Sequence, residues 1–232
     1  MDAQRAHGIR RLHSLSGVVP LGVFLVEHLW AVSGAIRGRA AFDARVIWLD
    51  GIRFGSVLEI LFIGLPLLFH ALYGVFLAFD KKENPDRYPY RHQHFALLLR
   101  VSGVLSLLFI AWHIWELPAQ RLLAKIPASD LFDLVALHLS TTSRSVPWRA
   151  IGYFSGLSVT LVHFTYGMIS FSFNERNIRE PQPLRRSTFR FVALGGILFL
   201  IGGATILSLA TGWPSYASAS ASGLAGPKIA CP

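Results

Sequence analysis

Apolar residues along this chain fall into five long blocks, at about 12–34, 56–79, 95–117, 149–173 and 189–211, and the stretches between them carry nearly all the Lys, Arg, Asp and Glu. A hydrocarbon core of roughly 30 Å is crossed by about 20 apolar residues of helix, so each block is long enough to span it. The pattern predicts an all-α membrane protein with five transmembrane helices over residues 1–213, followed by a tail over 214–232. The first block is too long for the core of a signal peptide and holds Glu27 and His28. It is therefore expected to remain as a membrane helix.

Composition agrees. Hydrophobic residues make up 53% of the chain and charged residues 15%, too little charge to solvate the surface of a soluble domain of this size. A net charge of +9 raises the question of nucleic acid. The basic residues instead flank the apolar blocks, where they anchor loops against anionic lipid, so membrane lipid and not nucleic acid is the expected partner. The single cysteine, Cys231, has no partner in the chain for a disulfide.

Comparing loops on alternate sides gives twelve Lys and Arg on the side of the N-terminus against nine on the other, with Arg100 left out because it lies inside a block. That excess favours a cytoplasmic N-terminus and an external C-terminus. The charged stretch 80–94, broken by Pro85 and Pro89, is expected on the cytoplasmic face. The external loops 35–55 and 118–148 are longer, and each has room for a short amphipathic piece, such as Leu131 to Leu139. The Ser/Ala/Gly-rich tail is expected to be mobile and external.

Four of the nine histidines, His28, His70, His113 and His163, lie well inside separate blocks. An ionisable side chain there needs a partner. His70 stands ten residues before Asp80 and His163 eleven before Asn174, placing them roughly 15 and 16 Å from the cytoplasmic face at a rise of 1.5 Å per residue. On the ascending helices, His28 stands fifteen residues after His13 and His113 nineteen after His94, roughly 22 and 28 Å from that face. Depth thus pairs His70 with His163 as an inner pair and His28 with His113 as an outer one. Two imidazoles from facing helices at matched depth suit a six-coordinate haem iron, and a filled axial set favours electron transfer over oxygen chemistry. Four helices forming a bundle around two stacked haems b is the expected arrangement. Gly74 and Gly167, each four residues after an inner histidine, share its helix face; they leave room for a porphyrin or simply let helices pack closely. A transporter whose histidines line a pore is the alternative from another class, and it would place them along one path instead of in depth-matched pairs.

Certain segments carry a resemblance. Arg10-Arg-Leu-His-Ser-Leu-Ser-Gly-Val-Val-Pro-Leu-Gly followed by Glu27-His28-Leu29, Leu58-Glu59-Ile60 leading to Pro66-Leu-Leu-Phe-His70-Ala-Leu-Tyr-Gly74, Arg100-Val-Ser-Gly103 with Trp112-His113-Ile-Trp-Glu116, and His163-Phe-Thr-Tyr-Gly167 stand in that order. Together, over about residues 10–210, they resemble the first four helices of the five-helix, dihaem cytochrome b anchor subunits of succinate:menaquinone reductases. The resemblance implies that His28, His70, His113 and His163 are axial ligands of two haems b. It also implies that a flavoprotein subunit oxidises succinate and an iron–sulfur subunit relays electrons to this anchor. The anchor would pass them to a membrane quinone, expected to be menaquinone, in a bacterial cytoplasmic membrane, and higher oligomers of the complex are compatible with it. A fumarate reductase anchor, oxidising quinol, is the alternative within the same class. In related dihaem fumarate reductases a glutamate stands two residues before the fourth-helix histidine; here that position is Leu161, which puts the same proton route in doubt.

Other residues gather around this frame. Arg100 sits on the inner side of His113 and could meet a haem propionate or snorkel to the interface. His13, Ser16, His92 and His94 lie at the same inner interface, as cofactor contacts or as solvated residues. The basic cytoplasmic loops around Lys81, Lys82, Arg87, Arg91, Arg176 and Arg179 would meet the iron–sulfur partner. Glu59 and Glu116 are expected near the outer pair, with Asp50, Arg53, Trp48 and Trp115 as weaker companions. Quinone reduction takes up protons, so Glu59 is the candidate for the quinone site. Interfacial anchoring is the alternative for this group, and no role is expected for His7 or His138.

Overall fold

The computed structural model describes residues 3–79, 90–143, 145–175 and 182–212, with side chains at 7–79, 94–143, 145–172 and 187–212. The loop 80–89, most of the basic docking residues, the His92 side chain and the tail beyond 212 lie outside the described residues. Among the described residues the structure is helical with no strand, in the order α1 (Ala3–Ser16), α2 (Gly22–Val32), α3 (Arg39–Asp50), α4 (Gly55–Glu59), α5 (Leu65–Phe79), α6 (Tyr90–Ile114), α7 (Gln120–Ala124), α8 (Leu131–Ser140), α9 (Trp148–Glu175) and α10 (Gln182–Thr211). Five helical stretches are long and apolar enough to cross a membrane: spans I (His7–Arg37), II (Gly55–Phe79), III (His94–Ala124), IV (Trp148–Ser172) and V (Ser187–Thr211).

Three spans are not uniform. Wide π-helical turns occur at Gly17–Leu21, Ile60–Gly64 and Trp115–Ala119. Prolines explain their positions. Pro20 and Pro118 lie inside their turns, and Pro66 follows the third almost at once. A proline offers no N–H to the carbonyl four residues back and its ring crowds that carbonyl, so the helix widens locally instead of ending. This is why span III continues to Ala124, past the apolar block that ends near residue 117.

Span I packs on II, II on III, III on IV, and IV returns to I, closing a ring of four helices; span V lies outside it on IV and I. Close approach of III and IV depends on glycine. Gly152 faces the Trp112 ring and a side-chain carbon on Gly156 would overlap Phe109, so α9 presents a flat strip to the aromatic edge of α6.

At the end of the bundle away from the N-terminus, α3 and α8 cover the helix ends. Phe42 of α3 and Phe132 of α8 meet edge to face at 5.5 Å between ring centres, and Ala35, Leu117, Leu139, Ala150, Tyr153 and Leu209 complete that buried cluster. Gly38, at φ 103°, makes the sharp turn from span I into α3. Ser208 Oγ donates to the Ala35 carbonyl at 3.0 Å, tying span V to this cap, and Arg39 pairs with Asp133 to join α3 and α8. The loops read as external thus carry the short helices that their apolar patterning announced.

Candidate functional site

The four span histidines meet in two pairs. His70 of α5 and His163 of α9 have ring centres 6.1 Å apart at 75°. His28 of α2 and His113 of α6 have ring centres 5.8 Å apart at 72°. Two imidazole nitrogens on opposite sides of one first-row metal ion, with bonds of about 2 Å and ring centres about 1 Å further back, set those centres roughly 6 Å apart. Both pairs fit that spacing.

Backbone and hydroxyl partners orient the rings. His70 Nδ1 lies 2.9 Å from the His13 carbonyl oxygen and 3.3 Å from Ser16 Oγ. His163 Nδ1 lies 3.2 Å from the Leu99 carbonyl oxygen and 3.3 Å from Ser102 Oγ. A carbonyl can only accept, so in each neutral ring Nδ1 carries the proton and donates it, leaving Nε2 with a free lone pair. His113 Nδ1 lies 3.3 Å from the Tyr153 hydroxyl. Histidine metal ligands are usually held in this way, one nitrogen anchored and the other directed at the metal.

The same two helix segments also supply glycines. A side-chain carbon on Gly17 would stand 2.9 Å from His70 Nδ1, and one on Gly103 2.9 Å from His163 Cε1. The local unit is thus repeated on spans I and III: a backbone carbonyl, a serine three residues on and a glycine four residues on together seat one imidazole. The repeated Ser16-Gly17 and Ser102-Gly103 pairs are visible in the sequence, yet their shared role appears only once the helices are assembled.

The remaining candidates fall in different places. His13 stacks on His70 at 4.1 Å and 13°, and its Nδ1 is buried without a hydrogen-bond partner. Ser16 donates to the His13 carbonyl at 2.8 Å, which frees its lone pairs for His70. Gly74 faces His13, at 3.2 Å from a built side-chain carbon to Cε1, while the space beside Gly167 is open to 4 Å. Arg100 is half-buried on α6, and His94 is exposed near its start. Glu59 ends α4 on an exposed face and lies within electrostatic reach of Glu27, the residue before His28.

Glu116 differs from Glu59 in being only 7% exposed. It accepts a 2.7 Å contact from Arg149 Nε and lies 3.6 Å from His138 Nδ1. These three residues, with Trp112, Trp115 and Gln120, line a chamber of about 400 Å³. Neither Tyr153 nor His138 stood out in the sequence, since a tyrosine near a helix start and a histidine in a loop helix are ordinary interface residues.

Histidines brought together in two pairs within a helical bundle, three of the four with a hydrogen-bonded Nδ1, define a class of polytopic membrane proteins with imidazole couples between their helices. The succinate dehydrogenase cytochrome b558 subunit of Bacillus subtilis (strain 168) is 38% identical to this chain over 189 residues, covering 82% of this chain and 90% of that protein. No family profile matches the chain, and no solved structure matches it. Identity at that level over most of both sequences settles the relationship: the chain belongs to the family of succinate dehydrogenase cytochrome b subunits.

Proposed function

We propose that the chain is a succinate dehydrogenase membrane anchor that binds two haems b and passes electrons from an iron–sulfur subunit, itself fed by a flavoprotein subunit, to a membrane quinone, menaquinone being the expected one. The observation that carries this reading is the pair of imidazole couples, 6.1 and 5.8 Å between ring centres. Two imidazoles fall short of the four protein donors of a structural zinc site. Among the described residues no group of three or more His, Cys, Asp or Glu converges on a common point. Two imidazoles with no further protein donors would suit a metal whose remaining donors come with a macrocycle. When bound, the haems supply one-electron redox chemistry that no side chain here provides.

The chain's own residues then have definite tasks. His70 and His163 hold the inner site and His28 and His113 the outer one. The carbonyls of His13 and Leu99, with Ser16 and Ser102, fix the tautomer and direction of the inner rings. Arg100, a half-buried fixed positive charge on α6, and His13, stacked on His70, are the groups this chain would offer to haem propionates. Gly74 and Gly167 keep bulky side chains away from the faces that carry the inner histidines. With the N-terminus cytoplasmic, the outer pair lies toward the external face.

A pyridine haemochrome assay of the purified chain or complex should give about two protohaems per chain, with low-spin bis-imidazole EPR signals. One haem per chain, or a high-spin resting iron, would overturn the assignment.

Glu59 supports a quinone site beside the outer pair, because its carboxylate is exposed on span II within reach of Glu27. Protons taken up there would come from the external side, and electrons reaching it from the cytoplasmic face would cross most of the membrane. Such transfer draws on the membrane potential at about 2.3 kcal/mol per charge per 100 mV. Replacing a proton-donating carboxylate by its amide removes a contribution of about 10²-fold in rate. Glu59→Gln should therefore depress succinate–quinone turnover by about that factor while succinate–dye turnover, which bypasses the quinone, is retained. Equal loss of both would indicate misassembly, and unchanged quinone turnover would remove Glu59 from the mechanism.

A further inference from the structure

The two imidazole pairs are anchored differently. In the inner pair, both Nδ1 atoms face backbone carbonyls, His13 for His70 and Leu99 for His163. Backbone carbonyls are fixed acceptors with no proton of their own. In the outer pair, His113 Nδ1 faces the hydroxyl of Tyr153 at 3.3 Å. A phenol both accepts and donates, so it can pass the influence of a further group on to the ring.

That further group is present. Glu116 sits three residues after His113 in the π turn made by Pro118, and Arg149 sits four residues before Tyr153 on the facing α9. The 2.7 Å Arg149–Glu116 contact and the 3.3 Å His113–Tyr153 contact are therefore neighbours one helical turn apart. Glu116 Oε1 is held by Arg149 at 2.7 Å. Its Oε2 is buried and has no hydrogen-bond partner. A buried carboxylate oxygen without a donor is costly, and a phenol O–H from the Tyr153 side can fill the place, while His138 and Gln120 lie on the chamber side. Arg149, the partner of Oε1, is 42% exposed, and the outer side of the carboxylate faces the chamber lined by Gln120, His138 and Trp115. Tyr153 is equally well enclosed, at 7% exposure, within the cluster formed by Phe109, Trp112 and Leu117.

We propose that His113, Tyr153 and Glu116 form a hydrogen-bonded relay, Nδ1–H to phenol oxygen and phenol O–H to carboxylate, with Tyr153 and Glu116 as positioning residues that strengthen His113 as an electron donor to the outer haem. The inference rests on the dihaem reading and adds a residue-level cause for a difference between the sites. Polarising Nδ1–H toward an anion raises the basicity of Nε2. A more basic axial ligand favours oxidised over reduced iron, so the relay lowers the reduction potential of the outer centre relative to one anchored on a neutral acceptor. Glu116 is thereby separated in role from Glu59, which is exposed on another helix.

The test is potentiometric titration of the complete complex, following the two haems by their optical and EPR signals in wild type, Tyr153→Phe, Glu116→Gln and the double variant. Tyr153→Phe should raise the midpoint potential of the outer haem and shift its EPR g-values, with the inner haem unchanged. Glu116→Gln should move the outer potential in the same direction by a smaller amount. In the Tyr153→Phe background, Glu116→Gln should add little, because the connection through the phenol is already broken. An unchanged outer potential in Tyr153→Phe overturns the relay, as does a Glu116→Gln shift of equal size with and without Tyr153. Should Tyr153→Phe fail to retain the outer haem, Glu116→Gln alone decides, since it leaves the phenol against His113 in place: a rise in potential supports the relay and no change overturns it. Absence of two bis-imidazole haems from the wild type would instead refute the dihaem reading itself, so the two failures are distinguishable.

Discussion

His163→Leu is expected to lower the haem content from about two to about one per chain, and His70→Leu should leave the same single spectral component behind. Leucine is apolar, similar in bulk and unable to ligate iron, so each change removes one axial donor with little disturbance of helix packing. His28→Leu and His113→Leu should each leave the other component. The pairing gives the double variants their force. His70→Leu combined with His163→Leu removes only the inner site, so about one haem per chain remains, whereas His70→Leu combined with His113→Leu damages both sites and leaves none. The basis is that His70 and His163 stand 6.1 Å apart while His28 and His113 stand 5.8 Å apart. Retention of a haem in the His70→Leu, His113→Leu protein would break the assignment.

Gly17→Val and Gly103→Val should each abolish the inner haem and spare the outer one. Even the first side-chain atom at these positions would lie 2.9 Å from an atom of the His70 or His163 ring, and valine adds two more carbons close behind it. The ring must turn away from its carbonyl anchor or the helices must separate, and overpacking of this kind costs about 1–3 kcal/mol before any loss of ligand geometry is counted. Gly196→Ala, where the surroundings are open to 4 Å, is the comparison and should leave both haems in place. An absorption spectrum with haem quantitation reads all three variants. A full complement in Gly17→Val would mean that the ring position does not depend on this contact.

Much of the architecture was legible from residue order alone. Block length marked the spans, and a constant rise per residue matched His70 with His163 and His28 with His113 in depth, because offset along a helix converts into height; the fold brings those rings together. The amphipathic run near Leu131 likewise announced α8. What escaped was set by rotation about the helix axis and by packing. The π turns change that rotation around Pro20, Pro66 and Pro118, so a glycine four residues from a histidine need not be the one that meets the partner helix. Gly17 and Gly103 lie against the inner rings while Gly74 faces His13. Tyr153, His138 and Glu116 converge from three helices, and such convergence has no signature along the chain. The placement of Glu116 beside Arg149 explains how a carboxylate is accommodated there; sequence could say only that it lay toward the outer end.

The order of the four histidines has a consequence for biogenesis. One pair joins the first and third spans and the other the second and fourth, so the two links interlock along the chain like alternating stitches. During synthesis the His28–His113 couple becomes complete once the third span has entered the bilayer, while His70 waits, one-sided, for His163 to follow. The helix that closes the second couple, α9, also carries the phenol that anchors the first. Each couple therefore reaches its finished form only when the fourth span is seated, and no consecutive pair of helices can be removed or exchanged as an independent module.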